Sequence, residues 1–243
     1  MSRVLCIANH KGGVGKTTTA ISLAVGVSKA GARTLLLDLD PQCNATYGLG
    51  FEPAATHPLA SGEPIANATV RTATPNLELL PGSRMFDDVK ALTQPDQTKV
   101  ERMQEQLSLE LNGYDFVLID CPPSLGQLTQ IALAGSTDVI MPIQCEFFPI
   151  AGLKHLIETI EMNPNCAYGI LETMFDYSLE FMYEVDQEVR KVFGPFVFQT
   201  VIPRDVAISE ASSHGQSILD YAPRSRGARA YIELCLEILE RGA

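Results

Sequence analysis

The stretch Asn9-His10-Lys11-Gly12-Gly13-Val14-Gly15-Lys16-Thr17-Thr18 lies between an apolar run, Val4-Leu5-Cys6-Ile7-Ala8, and a segment from Thr17 to Ala30. The run is short and apolar throughout, the pattern of a strand buried on both faces. The segment carries Ile21, Leu23, Ala24, Val25 and Val27 ahead of Gly31, which predicts a helix closed by a glycine cap. Strand, glycine turn and helix start in this order aim successive backbone N–H groups and the positive end of a helix dipole at one point, where a polyphosphate can sit. Glycine lets the backbone come that close. The alternative is an ordinary glycine-rich turn with a surface lysine.

Around this turn the chain has 243 residues, 46% of them hydrophobic, with 18 glycines. That fits a single α/β domain spanning 1–243. The N-terminus enters the first strand directly and no run of about 18 apolar residues occurs, so neither a signal peptide nor a transmembrane helix is expected, and the expected location is cytoplasmic. The cysteines (Cys6, Cys43, Cys121, Cys145, Cys166, Cys235) stand singly with no C-x-x-C pair, which suits small core residues in a reducing compartment and speaks against an iron–sulfur carrier. A formal net charge of −11 is the wrong sign for coating nucleic acid by overall attraction, so any DNA contact must be a local patch.

Two further strands end in carboxylates. Arg33-Thr-Leu-Leu-Leu-Asp38-Leu-Asp40 precedes the breaker Pro41-Gln42, and Tyr114-Asp-Phe-Val-Leu-Ile-Asp120 precedes Cys121-Pro122-Pro123-Ser124. Strand C-termini face the ligand crevice of an open parallel sheet. An aspartate placed like Asp120 holds Mg²⁺, often through water, while the hydroxyl of a P-loop residue such as Thr17 supplies another ligand. Asp40 has a plainer reading as a solvated turn residue or helix cap. Further strands are expected at Asn76–Ser83, Asp138–Gln144, Tyr168–Met174 and Val197–Ile202, and further helices at Lys99–Leu111, Ala151–Ile160, Leu179–Phe193 and Ala228–Glu240. Residues 51–74 show no clear period and are expected to be irregular. The alternation predicts a doubly wound, mainly parallel sheet with helices on both faces.

The generic P-loop wants glycine where this chain has His10. Lys11-Gly-Gly-Val-Gly-Lys16-Thr-Thr, with one lysine in the usual place and another at the start of the turn, resembles instead the deviant Walker ATPases of the ParA/MinD family. Asp38-Leu39-Asp40-Pro41-Gln42, Pro81-Gly82-Ser83, the segment from Gln144 to Phe148 and Pro203-Arg204-Asp205 also resemble that family, and the likeness extends from Val4 to Leu239. It implies ATP and Mg²⁺ as cofactors, with Gly12, Gly13, Val14, Gly15, Lys16, Thr17 and Thr18 around the phosphates and Thr17 and Asp120 at the metal. It also implies that Lys11 reaches the partner's nucleotide in an ATP-bound homodimer, that Asp40 orients the attacking water, and that Pro203 and Asp205 border the adenine; these two also read as a proline turn with an aspartate cap.

Arg224, Arg226 and Arg229, within Tyr221-Ala-Pro-Arg-Ser-Arg-Gly-Ala-Arg229, match a segment near the DNA-binding surface of ParA proteins; the plain alternative is a solvated charged face. The implied function is a positioning ATPase of the short ParA/Soj type, nucleoid-associated, that holds DNA without sequence preference and is released by a ParB-like activator or cargo adaptor. Two alternatives are a MinD-like membrane-cycling regulator, opposed by the acidic face of the last helix (Glu233, Glu237, Glu240), and a P-loop metabolic or metal-insertion ATPase, which would need a substrate pocket or clustered cysteines. The chain departs from the family at Cys43, where many relatives carry glycine, and at Asp176-Tyr177-Ser178-Leu179, where chromosomal relatives often carry Arg-Thr-Asn.

Overall fold

The computed structural model describes residues 2–85, 97–145, 153, 156–158, 160–161 and 166–241. Among these, seven strands form one sheet: β1 (Arg3–Ile7), β2 (Thr34–Asp38), β3 (Val70–Arg71), β4 (Leu77–Leu80), β5 (Phe116–Asp120), β6 (Asp138–Gln144) and β7 (Ala167–Thr173). Their order is β3-β4-β2-β5-β1-β6-β7. All neighbours run parallel except β3, which pairs antiparallel with β4. The chain winds outward to both sides of β1, so the loop after β1 opens at the point where the sheet's winding reverses, where open α/β sheets bind ligands.

Side-chain alternation along the strands divides the core in two. Val4, Cys6 and Ala8 of the β1 region, with Leu35 and Leu37 of β2 and Val117 and Ile119 of β5, face one layer. Leu5, Ile7, Leu36 and Leu118 face the other. The first layer is closed by α5 (Gln97–Glu110), α6 (Gln127–Ala134) and Val189 of α7 (Glu180–Phe193). The second is closed by α1 (Lys16–Lys29) and α10 (Arg226–Arg241), together with residues of α8 (Val206–Ser213) and α9 (Ile218–Tyr221). Each fully buried Leu, Ile or Val contributes roughly 1.5–3 kcal/mol, and both faces being covered accounts for strands that read as continuous apolar runs.

Helix α10 is fastened to α1. The buried Tyr231 hydroxyl lies 3.2 Å from Thr19 Oγ1. A side chain at Gly26 would collide with Cys235 Sγ, so this glycine is the hole into which the last helix fits.

Two expectations are corrected. Residues 197–202 are not a strand: Val197 and Pro203 make isolated bridges to Ile170 and Phe175. Between those bridges the amides of Gln199 and Thr200 turn away to Glu237 Oε1 and Oε2 at 2.9 and 3.0 Å. Glu237 is therefore a docking residue rather than part of a solvated acidic face. Residues 51–74 are not wholly irregular, since α3 (Pro58–Ser61) and α4 (Ile65–Ala68) bury Leu59 and Ile65, and β3 extends the sheet edge. Of the helix expected at 151–160, half of the residues lie outside the described ones, and residues 153, 156–158 and 160 are helical. Among the described residues no helix is long and apolar enough to cross a membrane.

Candidate nucleotide site

At the end of β1 the chain turns under the control of Asn9. Its buried amide donates to the Pro142 carbonyl (2.8 Å), and its Oδ1 accepts from Lys11 N (3.0 Å). Gly13 and Gly15 then take left-handed φ values of 75° and 88°, and α1 begins at Lys16 with Gly15 as its cap. Lys16 is 6% exposed and arches back over the loop, its Nζ donating to the Lys11 carbonyl at 2.9 Å. Burial pushes its pKa down, and the charges of Asp120 and Asp40 partly restore it. Lys11 is exposed, with Nζ 3.4 Å from Gln144 Oε1. Thr17 and Thr18 are half-buried. Gly12, Gly13, Gly15, Lys16, Thr17, Thr18 and Asp40 line one open cleft of about 530 Å³.

Three carboxylates converge below the loop. In register, β5 Asp120 lies between β1 Ile7 and β2 Asp38. Asp120 is fully buried, and among the described residues neither of its oxygens has a hydrogen bond of normal geometry. Its pKa is held well above the usual carboxylate range by burial and then by Asp38, despite the nearby Thr17 hydroxyl and Lys16. An unpartnered buried carboxylate facing a hydroxyl at the foot of an anion cradle is the donor set of a hard divalent cation, so the residues fit Mg²⁺. Asp38 is braced differently: its carboxylate accepts from Asp40 N (3.1 Å), Thr46 N (2.9 Å) and Thr46 Oγ1 (2.7 Å). Burial raises its pKa to about 6 against those bonds. Asp40, 4% exposed, faces the cleft while its Oδ1 accepts from Gln42 N at 3.0 Å. The turn role expected of it is realised in that bond, and the same carboxylate lines the cleft.

Cys43 precedes α2 (Asn44–Gly48) with φ 55° and ψ 36° and a fully buried side chain. A left-handed residue is cheap for glycine and costs other residues of order 1 kcal/mol, a physical reason for glycine at this place. Beyond the expected residues, Gln42, Asn44, Tyr47, Gly48, Pro123, Met174 and Ser212 also line the cleft. Gln42 and Asn44 follow Asp40 in the turn after β2 and Pro123 follows Asp120, so these three sit beside recognised aspartates; Tyr47, Gly48, Met174 and Ser212 carry no local signal, because they come from separate turns and helices.

Pro203 and Asp205 do not line the cleft. Asp205 spends both oxygens as a double cap, accepting from Ala207 N (3.1 Å) at the start of α8 and from Gly227 N (2.9 Å) at the start of α10. The cap reading of Asp205 is therefore realised, and it ties this turn to the arginine segment. Arg224, Arg226 and Arg229 are all exposed and form no ion pair among the described residues. Arg226 lies close enough to Asp176 to help lower that carboxyl's pKa.

A parallel sheet with a glycine loop at its reversal point, a buried lysine over that loop and an unpartnered aspartate on the adjacent strand together define a P-loop nucleoside triphosphatase of the deviant, two-lysine kind. A family model described as an AAA domain matches residues 2–166. The sporulation initiation inhibitor protein Soj of Bacillus subtilis is 38% identical over 253 residues, covering 100% of both chains. The chromosome partitioning protein ParA of Caulobacter vibrioides is 40% identical over 98% of this chain and 94% of its own length. Among solved structures, cobyrinic acid a,c-diamide synthase from Mycobacterium smegmatis with bound ADP and magnesium superposes with a TM-score of 0.83 at 32% identity, covering 99% of this chain and 95% of that one. The chain belongs to the Soj/ParA family of chromosome-partitioning proteins.

Proposed function

We propose that this chain is an ATP-dependent partitioning ATPase, a single domain working as a nucleotide-timed dimer. In this reading Lys16 and the amides of residues 12–18 bind the phosphates, while Thr17 and Asp120 hold Mg²⁺. A Mg²⁺ ion held there would supply positive charge to offset the negative charge that develops on the phosphates. Asp40 orients the water for hydrolysis, and Pro203 and Asp205 border the adenine through the turn they shape. Lys11 completes the site of a second protomer. The dimer holds DNA through Arg224, Arg226 and Arg229 without reading sequence, on the nucleoid, and a ParB-like activator or a cargo adaptor triggers hydrolysis and release.

The observation that carries this reading is the pair of lysines with different fates on one loop. Lys16 is buried over the cradle, whereas Lys11 is exposed on the rim of the same turn. That difference supports a reading in which one cation serves its own site and the other meets a ligand from outside. The metabolic alternative draws support from the likeness to a cobyrinic acid synthase. The higher identity to Soj and ParA over nearly the whole chain favours partitioning.

The test is sizing by light scattering with Mg²⁺ and a non-hydrolysed ATP analogue. The wild type is expected to dimerise, while Lys11→Ala stays monomeric and keeps nucleotide affinity. An unchanged dimer in Lys11→Ala overturns the cross-subunit role.

A further inference from the structure

The phosphate cradle is shaped from behind by two side chains that belong to neither the loop nor the metal set. Thr173, the last residue of β7, is 2% exposed, and its Oγ1 lies 2.9 Å from the Val14 carbonyl and 2.9 Å from the Ile143 carbonyl. Gln144, the last residue of β6, donates from Nε2 to the Gly13 carbonyl at 3.2 Å and lies 2.7 Å from Met174 Sδ. The two residues are register partners on adjacent strands, so the ends of β6 and β7 present one polar ledge to the loop.

Within a peptide unit the C=O and N–H point in opposite directions. Drawing the Gly13 and Val14 carbonyls toward the ledge therefore turns the N–H groups of Val14 and Gly15 the other way, into the cleft. Left alone, these two units are the ones most prone to rotate. Each is flanked by a glycine at positive φ, Gly13 and Gly15, and glycine accepts either sign of φ at little cost. A flipped unit would aim a carbonyl oxygen at a phosphate and replace an attractive dipole with a repulsive one.

We propose that Thr173 and Gln144 are positioning residues for nucleotide binding, which lock the Gly13–Val14 and Val14–Gly15 peptides with their N–H groups facing the phosphates. The proposal rests on the loop being the phosphate cradle of the proposed function. Neither residue lines the cleft; both act by paying the ordering cost of the loop before the ligand arrives.

The test uses the full chain and titrates ADP with Mg²⁺ by calorimetry, a ligand that needs no second protomer. Thr173→Val keeps the β-branched shape and removes the hydroxyl. A net hydrogen bond to a backbone carbonyl corresponds to about a two- to tenfold weaker Kd, and that loss is expected with a nucleotide-free melting midpoint lower by only a few degrees. Thr173→Ser is expected to restore wild-type Kd. Gln144→Leu, on the half-exposed side of the ledge, is expected to weaken ADP by a similar factor, and it carries the test alone if Thr173→Val folds poorly. Wild-type affinity in both Thr173→Val and Gln144→Leu overturns the proposal, as does a Thr173→Ser variant no better than Thr173→Val. A wild-type chain that binds neither ADP nor ATP overturns the nucleotide-site reading itself.

Discussion

Charge makes the proposed DNA interaction sharply testable. Each protomer carries −11, and a dimer doubles it, so the global field repels a polyanion. Attraction must come from cations within a few ångströms of phosphates, where screening is weak. Arg224, Arg226 and Arg229 are exposed and uncommitted to ion pairs among the described residues, which gives six in a symmetric dimer. Six phosphate contacts predict a slope of about −5 for log affinity against log salt, or roughly a thousandfold loss between 50 and 200 mM. Arg226 already feels Asp176, and Tyr177 beside it feels Glu233 as well; reversing its charge adds a third anion to that neighbourhood and leaves Arg204 as the cation acting on Asp176. Arg226→Glu is therefore expected to lower the magnitude of the slope by about 2 and to weaken binding at every salt concentration. The assay is binding to random-sequence duplexes across a salt series, with ATP and with ADP. Equal weak binding in both nucleotide states, or wild-type binding by a triple Arg→Ala variant that still dimerises, refutes the reasoning.

Asp40→Ala is expected to reduce hydrolysis at least a hundredfold while leaving ATP affinity within about threefold, because in the proposed mechanism it removes the water-orienting group and no phosphate or metal ligand; joint loss of binding and turnover would make Asp40 structural. Asp120→Asn tests the buried carboxylate by its pH dependence in Mg²⁺-free buffer. A carboxyl whose folded pKa is raised binds its proton more tightly in the native state, so its contribution is full below about 3.8 and is lost as pH rises through the folded pKa. The wild type should therefore lose more melting temperature than Asp120→Asn between pH 5 and pH 8, and Mg²⁺ with ADP should stabilise the wild type far more than the variant. Parallel pH profiles would show that Asp120 is not held in its raised state.

The parts of the site that could be read along the chain are those in which one short segment carries the whole signal. Residues 9–18 hold strand end, glycines, lysines and hydroxyls within ten positions, and Asp38, Asp40 and Asp120 each close an apolar run. What escaped depends on contacts between distant segments. Glu237 reads as a solvent-facing residue of an amphipathic helix, and only the approach of residues 199–200 makes it an acceptor that bends a would-be strand away from the sheet. Thr173 and Gln144 read as strand-end polars, and their meaning appears when β6 and β7 lie beside β1. Tyr47 and Ser212 line the cleft from α2 and α8, whose nearness no periodicity encodes. Asp205 falls between the two cases, since its capping of α8 is local whereas its capping of α10 spans 22 positions.

The same long-range contacts bear on how ATP would control the arginines. Helix α10, which carries Arg226 and Arg229, is bolted to the loop's own helix by Tyr231 against Thr19 and by Cys235 seated in the hollow of Gly26. Its first turn is pinned by Asp205. Tilting it to expose or hide the arginines would break a buried hydroxyl contact and open a gap in a close-packed seam, and such losses run to several kcal/mol. The arginines are, moreover, exposed on this fold as it stands. A switch built on this fold is therefore better made by number than by movement: one protomer offers three cations against its own −11, too few to hold DNA at cellular salt. The proposed ATP-dependent pairing would set six on a common body, and because each contact multiplies affinity, doubling the count converts weak attraction into binding.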